Sequence, residues 1–165
     1  MKKYLFVLSV AAVVVLLDQA TKWYIRHTVS LYESIAVIDS LFHITYVRNS
    51  GGAFGLLAGS SQALRLPFFL LVSLIAVVVL LFFVRRVEPG HRWLLFALGA
   101  ILGGALGNLV DRMASGAVTD FLDFHWHGYH WPAFNVADSC ITTGMVILLL
   151  YSLLVHDEAA ERPRA

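Results

Sequence analysis

Residues 134–155 read FNVADSCITTGMVILLLYSLLV, with no charged residue from Cys140 to Val155 and a carboxylate, Asp138, at the mouth of the run. About 20 residues of helix cross a hydrocarbon core of roughly 30 Å, so the stretch reads as a membrane span. An ionisable group at such a place is costly, faces a bundle interior or a wet cavity, and marks function. The question is whether Asp138 has partners at the same depth.

Three further runs have the composition of spans, giving four at about 4–25, 67–84, 93–112 and 135–155. The whole chain agrees: 59% of its 165 residues are hydrophobic, 14% are charged, and the mean hydropathy is +0.75. A soluble domain of this size needs far less apolar material. The expected fold is an all-α membrane protein of four transmembrane helices, with a small β-hairpin or sheet on the outer side. It is organised as one domain over 1–156 followed by a cytoplasmic tail, 157–165. The start, MKKYLFVLSVAAVVVLL, resembles a secretory signal, but DQATKWY follows where a small-x-small cleavage site would stand.

Orientation follows from the basic residues, which stay cytoplasmic. Lys2, Lys3, Arg85, Arg86, Arg92, Arg162 and Arg164 are seven of the twelve, and all flank the same side. Both termini are then cytoplasmic. On that topology Asp18 and Lys22, then Asn108, Asp111 and Arg112, then Asn135, Asp138 and Ser139 collect at the outer ends of three helices. The second span carries no such group, only Ser73. The net charge of +1, with scattered basic residues, gives no nucleic-acid surface.

Outside the membrane, IAVIDSLFHITYVRN has two β-rich runs about Asp39 and Ser40, within an outer β-rich segment at about 35–55. NSGGAFG at 49–55 is either a turn that brings backbone close to a ligand or an ordinary glycine loop. The tail HDEAAERPRA has the composition of a disordered segment.

Each polar cluster has a bland alternative. Asp18 and Lys22, four apart, share a helix face and read as a structural ion pair, because a carboxylate bonded to an ammonium is a poor proton shuttle. Asn108 shares a face with Asp111 and Arg112; Asn108 and Arg112 either bind a substrate carbonyl or head group, or hold neighbouring carboxylates. Gly99, Gly103 and Gly107 form a smooth strip for a neighbouring helix. Asp120, in VTDFLDF, and Asp138 would together supply an acid and a base for hydrolysis by water. Two carboxyls in one site cannot both ionise cheaply and titrate as a unit. Separate loop and helix-cap roles are the alternative for both.

HWHGYHW at 125–131 offers His125, His127 and His130 as metal ligands, but the interleaved Trp and Tyr match an interfacial belt, and no His-Glu-x-x-His helix motif is present. Cys140, the single cysteine, excludes an internal disulfide, and two positions on from Asp138 it faces away from that residue.

Taken together, DQATK, RNSGGAF, GGALGNLVDR, VTDFLDF and FNVADS resemble, in order and on a four-span topology, the lipoprotein signal peptidases, the type II signal peptidases of bacteria. The resemblance covers nearly the whole chain. It implies a membrane-embedded aspartic endopeptidase of the bacterial cytoplasmic (inner) membrane, a monomer with no metal and no cofactor. Such an enzyme removes the signal peptide from a prolipoprotein just before a diacylglyceryl-modified cysteine, with membrane lipids and that substrate as its partners and its active site near the outer face. Carried over by position, the catalytic residues are Asp120 and Asp138. The supporting residues are Asp18, Lys22, Asn49, Asn108, Asp111, Arg112 and Asn135. Gly52 departs from the pattern, standing where the family's loop has alanine, and Asp123 matches no invariant position. The rival readings of the same polar groups are a small membrane transporter and a lipid-binding assembly factor.

Overall fold

The computed structural model describes residues 1–51 and 61–160. The glycine loop beyond Gly51, with the Gly52 departure, and the basic end of the chain at Arg162 and Arg164 lie outside the described residues. Among the described residues, four helices are long and apolar enough to cross a membrane: α1 (Lys2–Thr28), α2 (Gln62–Arg86), α3 (Arg92–Ser115) and α4 (Val136–Ala160). All four were legible as spans. The second begins earlier than expected, because Pro67 lies inside α2 rather than at its start. That early in a helix a missing N–H removes a single backbone hydrogen bond, so the proline is tolerated.

α3 is the central helix. In its apolar window 61% of the residues are buried, against 22% for α1, 17% for α2 and 11% for α4, and it packs on all three of the others. The shared core joins Val7 and Ala11 of α1, Leu80 and Val84 of α2, and Leu95, Leu98 and Leu102 of α3. The apolar side chains left over, such as Leu8, Val78 and Leu149, point outward; in a bilayer these face lipid rather than water. With little hydrophobic drive between helices in lipid, close backbone approach supplies the contact energy. A Cβ on Gly103 would stand 2.7 Å from the Ala11 carbonyl oxygen and 2.7 Å from Val14 Cβ, which shows how tightly α1 lies on α3. α3 ends on Gly116, left-handed at φ 72°, whose N–H donates to the Arg112 carbonyl. At the opposite end of the bundle, Lys3 Nζ donates to the carbonyls of Arg85 and Val87, capping the last turn of α2 from α1.

The segments between helices form a four-stranded antiparallel sheet, in the order β1 (Ser34–Ile38), β2 (Phe42–Asn49), β3 (Val118–Trp126) and β4 (Tyr129–His130). The β1–β2 hairpin about Asp39 and Ser40 is the one the sequence signalled. The larger addition is β3, which VTDFLDF had not announced. It pairs with β2 through Ile44↔Leu122 and, past a bulge, Val47↔Asp120 and Asn49↔Val118. β3 and β4 are joined by a tight turn in which His127 (φ 46°) and Gly128 (φ 83°) are both left-handed. Phe121 seats the sheet on Ile25 and Val29 at the end of α1, with Ile44, Tyr46 and Val136 around them.

Overpacking the α1–α3 contact is expected to cost about 1–3 kcal/mol. Gly103→Val should therefore lower the thermal midpoint of the detergent-solubilised protein by about 2–12 °C. Gly90→Val, where a Cβ meets nothing within 4 Å, should leave that midpoint in place.

Candidate active site

Between the sheet and the ends of α3 and α4 lies an open cavity of about 1010 Å³. Asp120 and Asp138 are both on its wall, with Asn49, Asn108, Arg112 and Trp131. The two carboxylates are thus brought together from a strand and a helix. Asp120 is held mid-strand by the pairing of β3 with β2, and Asp138 stands in the first turn of α4.

Three asparagines grip the pair. Asn135 Nδ2 donates to Asp120 Oδ1 at 2.7 Å and Asn49 Nδ2 to Asp120 Oδ2 at 3.0 Å. Asn108 Nδ2 donates to Asp138 Oδ1 at 2.8 Å. Asn135 also caps α4: its Oδ1 accepts from the Asp138 N–H at 3.0 Å, while its own N–H donates to Asp138 Oδ2 at 3.3 Å. This reciprocal arrangement satisfies two backbone donors at once. Asp138 is thus a helix cap through one oxygen, Oδ2, while the other, Oδ1, meets Asn108 at the cavity.

Behind the cavity sits a buried ion cluster. Lys22 and Asp18 have no solvent exposure and lie 2.8 Å apart, and Lys22 Nζ is 3.2 Å from Asp111. Arg26 completes the cluster at 3.4 Å from Asp111. Neither carboxylate reaches the cavity wall. Asp18 Oδ1 accepts from the N–H of Ala137 at 2.9 Å, and Asp111 Oδ2 accepts from the N–H of Thr119 at 2.9 Å. Each therefore fixes the backbone of the residue immediately before one of the paired aspartates. Gly107 leaves room for this, since a Cβ there would stand 2.6 Å from Asp18 Oδ2.

Of the nine residues singled out in the sequence, Asp120, Asp138, Asn49, Asn108 and Arg112 line the cavity, and Asp18, Lys22, Asp111 and Asn135 hold them from behind. Four contributors were missed. Gln19 Nε2 bridges Asp18, Asp111 and the Gly107 carbonyl. Arg26 binds Asp111 and Thr119 Oγ1, and the four-residue spacing from Lys22 was its signal. Phe69, from α2, lies under the Arg112 guanidinium at 5.2 Å, and Trp131 belongs to the wall.

The imidazoles of 125–131 are arranged differently from a ligand set. His125 stacks on His130 at 4.7 Å and meets His43 at 4.4 Å, so these three turn ring faces and edges toward one another. His130 Nδ1 lies 2.9 Å from Asp123 Oδ1, which gives that aspartate a partner away from the cavity. Cys140 is not among the residues of the cavity wall.

The electrostatics separate Asp120 from an ordinary carboxylate. Burial, reinforced by the charge of Asp138, raises its pKa to about 7, against the opposing pull of the hydrogen bonds from Asn49 and Asn135. At neutral pH it is therefore poised between acid and anion, as a group that both gives and takes a proton must be.

A fold of four lipid-length helices, with two carboxylates sharing a cavity under a small sheet, is that of a membrane-embedded hydrolase site. A family profile described as signal peptidase (SPase) II matches residues 10–154, and the chain belongs to that family. Among its relatives, a protein of Desulforapulum autotrophicum named lipoprotein signal peptidase is 50% identical over 142 residues, covering 86% of this chain and 88% of that one. One of the same name from Geobacter sulfurreducens is 50% identical over 147 residues, covering 89% of each. A bacterial membrane enzyme solved by the in meso method superposes with a TM-score of 0.82 at 32% identity, covering 96% of this chain and 93% of that one. None of these similarities points to a transporter or an assembly factor.

The raised pKa of Asp120 carries a sign. Between pH 4 and 7 the folded chain keeps a proton there that an unfolded chain releases, so stability from this group falls as pH rises through that window. Between pH 4 and pH 8 the parent should therefore lose on the order of 2–4 kcal/mol of stability relative to Asp120→Asn, which has no proton to release there. Parallel thermal scans at the two pH values read the difference.

Proposed function

We propose that this chain is the aspartic endopeptidase that removes the signal peptide from diacylglyceryl-modified prolipoproteins, with Asp120 and Asp138 as its catalytic pair. The observation that carries the reading is the convergence of these two carboxylates on one cavity at the sheet end of the bundle. Water held between them loses a proton to the ionised carboxylate as its oxygen bonds to the scissile carbonyl carbon. The protonated carboxyl then gives its proton to the leaving amine as the C–N bond breaks. Asp120, half protonated near neutral pH, supplies the proton that the pair shares.

Arg112, lying over Phe69 at the cavity wall, binds a substrate carbonyl or a head-group oxygen, and Asn108 holds Asp138. Asn49 ties the start of the glycine loop to Asp120. The enzyme acts as a monomer in the cytoplasmic membrane. Both termini face the cytoplasm and the sheet faces outward, since Lys2, Lys3, Arg85, Arg86 and Arg92 all sit at the end of the bundle away from the cavity. The substrate arrives sideways from the bilayer, its acyl chains staying in hydrocarbon while its scissile bond meets the pair at the interface. Depth in the membrane then selects the bond. Membrane lipids are the medium of this approach and line the outward apolar faces.

Incubation of the purified protein with a lipid-modified precursor should release the signal peptide, seen as a shift on a gel, and should do so in a strong chelator. Asp120→Asn and Asp138→Asn should each lower kcat by at least about 100-fold with the protein still folded in the membrane. Normal turnover in either variant refutes the assignment.

A further inference from the structure

An amide side chain donates from one end and accepts at the other, so whichever group binds one end decides what the other end presents. All three asparagines around the pair are polarised in this way from behind. Asn49 Oδ1 accepts from the Gly51 N–H at 3.0 Å, and Asn135 Oδ1 from the Asp138 N–H at 3.0 Å, so each turns its Nδ2 toward Asp120. For Asn108 the group behind is a charge. Lys22 Nζ, an ammonium with three donors and no acceptor, donates to Asn108 Oδ1 at 2.9 Å. The opposite orientation of the amide would set N–H against N–H at one end and oxygen against carboxylate oxygen at the other. Asn135 Nδ2 adds a longer contact to the same Oδ1, at 3.3 Å.

We propose that Lys22 is a positioning residue for the catalytic pair: it locks the Asn108 amide so that Nδ2 always faces Asp138, and thereby holds that carboxylate as a hydrogen-bond acceptor ready to take a proton from water. This goes beyond a structural ion pair and rests on the reading of Asp120 and Asp138 as the pair. Lys22 suits the task because it is fully buried and its remaining donors are engaged by Asp18 and Asp111, so its direction is fixed. The other charged groups facing this relay are Arg26 on α1, Arg112 on α3 and Asp120 on β3. On α4, the Cys140 thiol lies off the cavity wall.

The test compares two charge-balanced enzymes, Asp18→Asn/Lys22→Gln and Asp18→Asn/Lys22→Met. Both remove a buried ion pair without stranding a charge, since Asp111 keeps Arg26, and Asn at 18 keeps an oxygen for the Ala137 N–H. Gln and Met are close in size, and only Gln offers a donor to Asn108. With purified protein and lipid-modified precursor, the Met enzyme should have a kcat about 10- to 100-fold below that of the Gln enzyme, the effect of one hydrogen bond to a charged group. KM should agree within about twofold, and the acidic limb of the kcat profile should move to higher pH. A merely structural role predicts equal kcat and coincident profiles, and that result overturns the lock.

Asn108→Asp reads the same lock with the ion cluster intact, because it still accepts from Lys22 but presents an oxygen to Asp138. Its kcat should fall at least about 100-fold, and retained activity overturns the proposal even where the double variants do not fold. If Asp138→Asn also cleaves normally, the pair itself is misassigned. If only the Gln and Met enzymes agree, the lock alone fails.

Discussion

The architecture depends on one buried cluster of charge, Lys22 with Asp18 and Asp111. A charge stranded in a low-dielectric interior is strongly destabilising once its partner is gone, so the three cannot be separated cheaply. This ties α1 to α3 at a single register. Because Asp18 also holds the Ala137 N–H and Asp111 the Thr119 N–H, the same constraint runs into α4 and β3. The cluster is a scaffold for the two residues that follow, Asp138 and Asp120, although it never touches the cavity.

From that scaffold outward, each layer settles a different quantity. The small residues of α3 let α1 lie close enough for Lys22 to reach Asn108. The sheet fixes Asp120 by pairing it opposite Val47 and by bringing Asn49 to its carboxylate. Burial beneath the sheet then raises Asp120 into the range where proton transfer at neutral pH is efficient. The polar amides supply direction, because each presents a donor where a carboxylate needs one.

The sheet also supplies one of the two carboxylates from outside the helical bundle. A helix can aim an aspartate from its first turn, as α4 does with Asp138, but a second carboxylate facing it must come from another element at the same depth. β3 arrives from the end of α3 through Gly116 and crosses back over the helix ends. The cavity left beneath it opens at the ends of α3 and α4 where Asn108, Arg112 and Asp138 stand.

Much of this was readable from the residues alone. Runs of apolar residues about 20 long determined the four spans, and the shared level of Asp18, Lys22, Asn108, Asp111, Arg112, Asn135 and Asp138 marked where a site would form. The β1–β2 hairpin followed from alternation about Asp39 and Ser40. β3 stayed hidden because Val118–Phe121 is buried on both faces of the strand, which leaves no clean alternation to detect. Spacing also left Asp120 and Asp138 open between a pair and two unrelated roles, and only the resemblance of the motifs joined them. The partners of Gln19 and Phe69 lie on other elements and were beyond reach, and for Arg26 only the four-residue spacing from Lys22 gave a signal. Hydrophobic length is a property of one segment and can be read along the chain. Which oxygen faces which N–H, and how far one charge lies from another, depend on distances between segments, and those exist only once the helices and the sheet have packed.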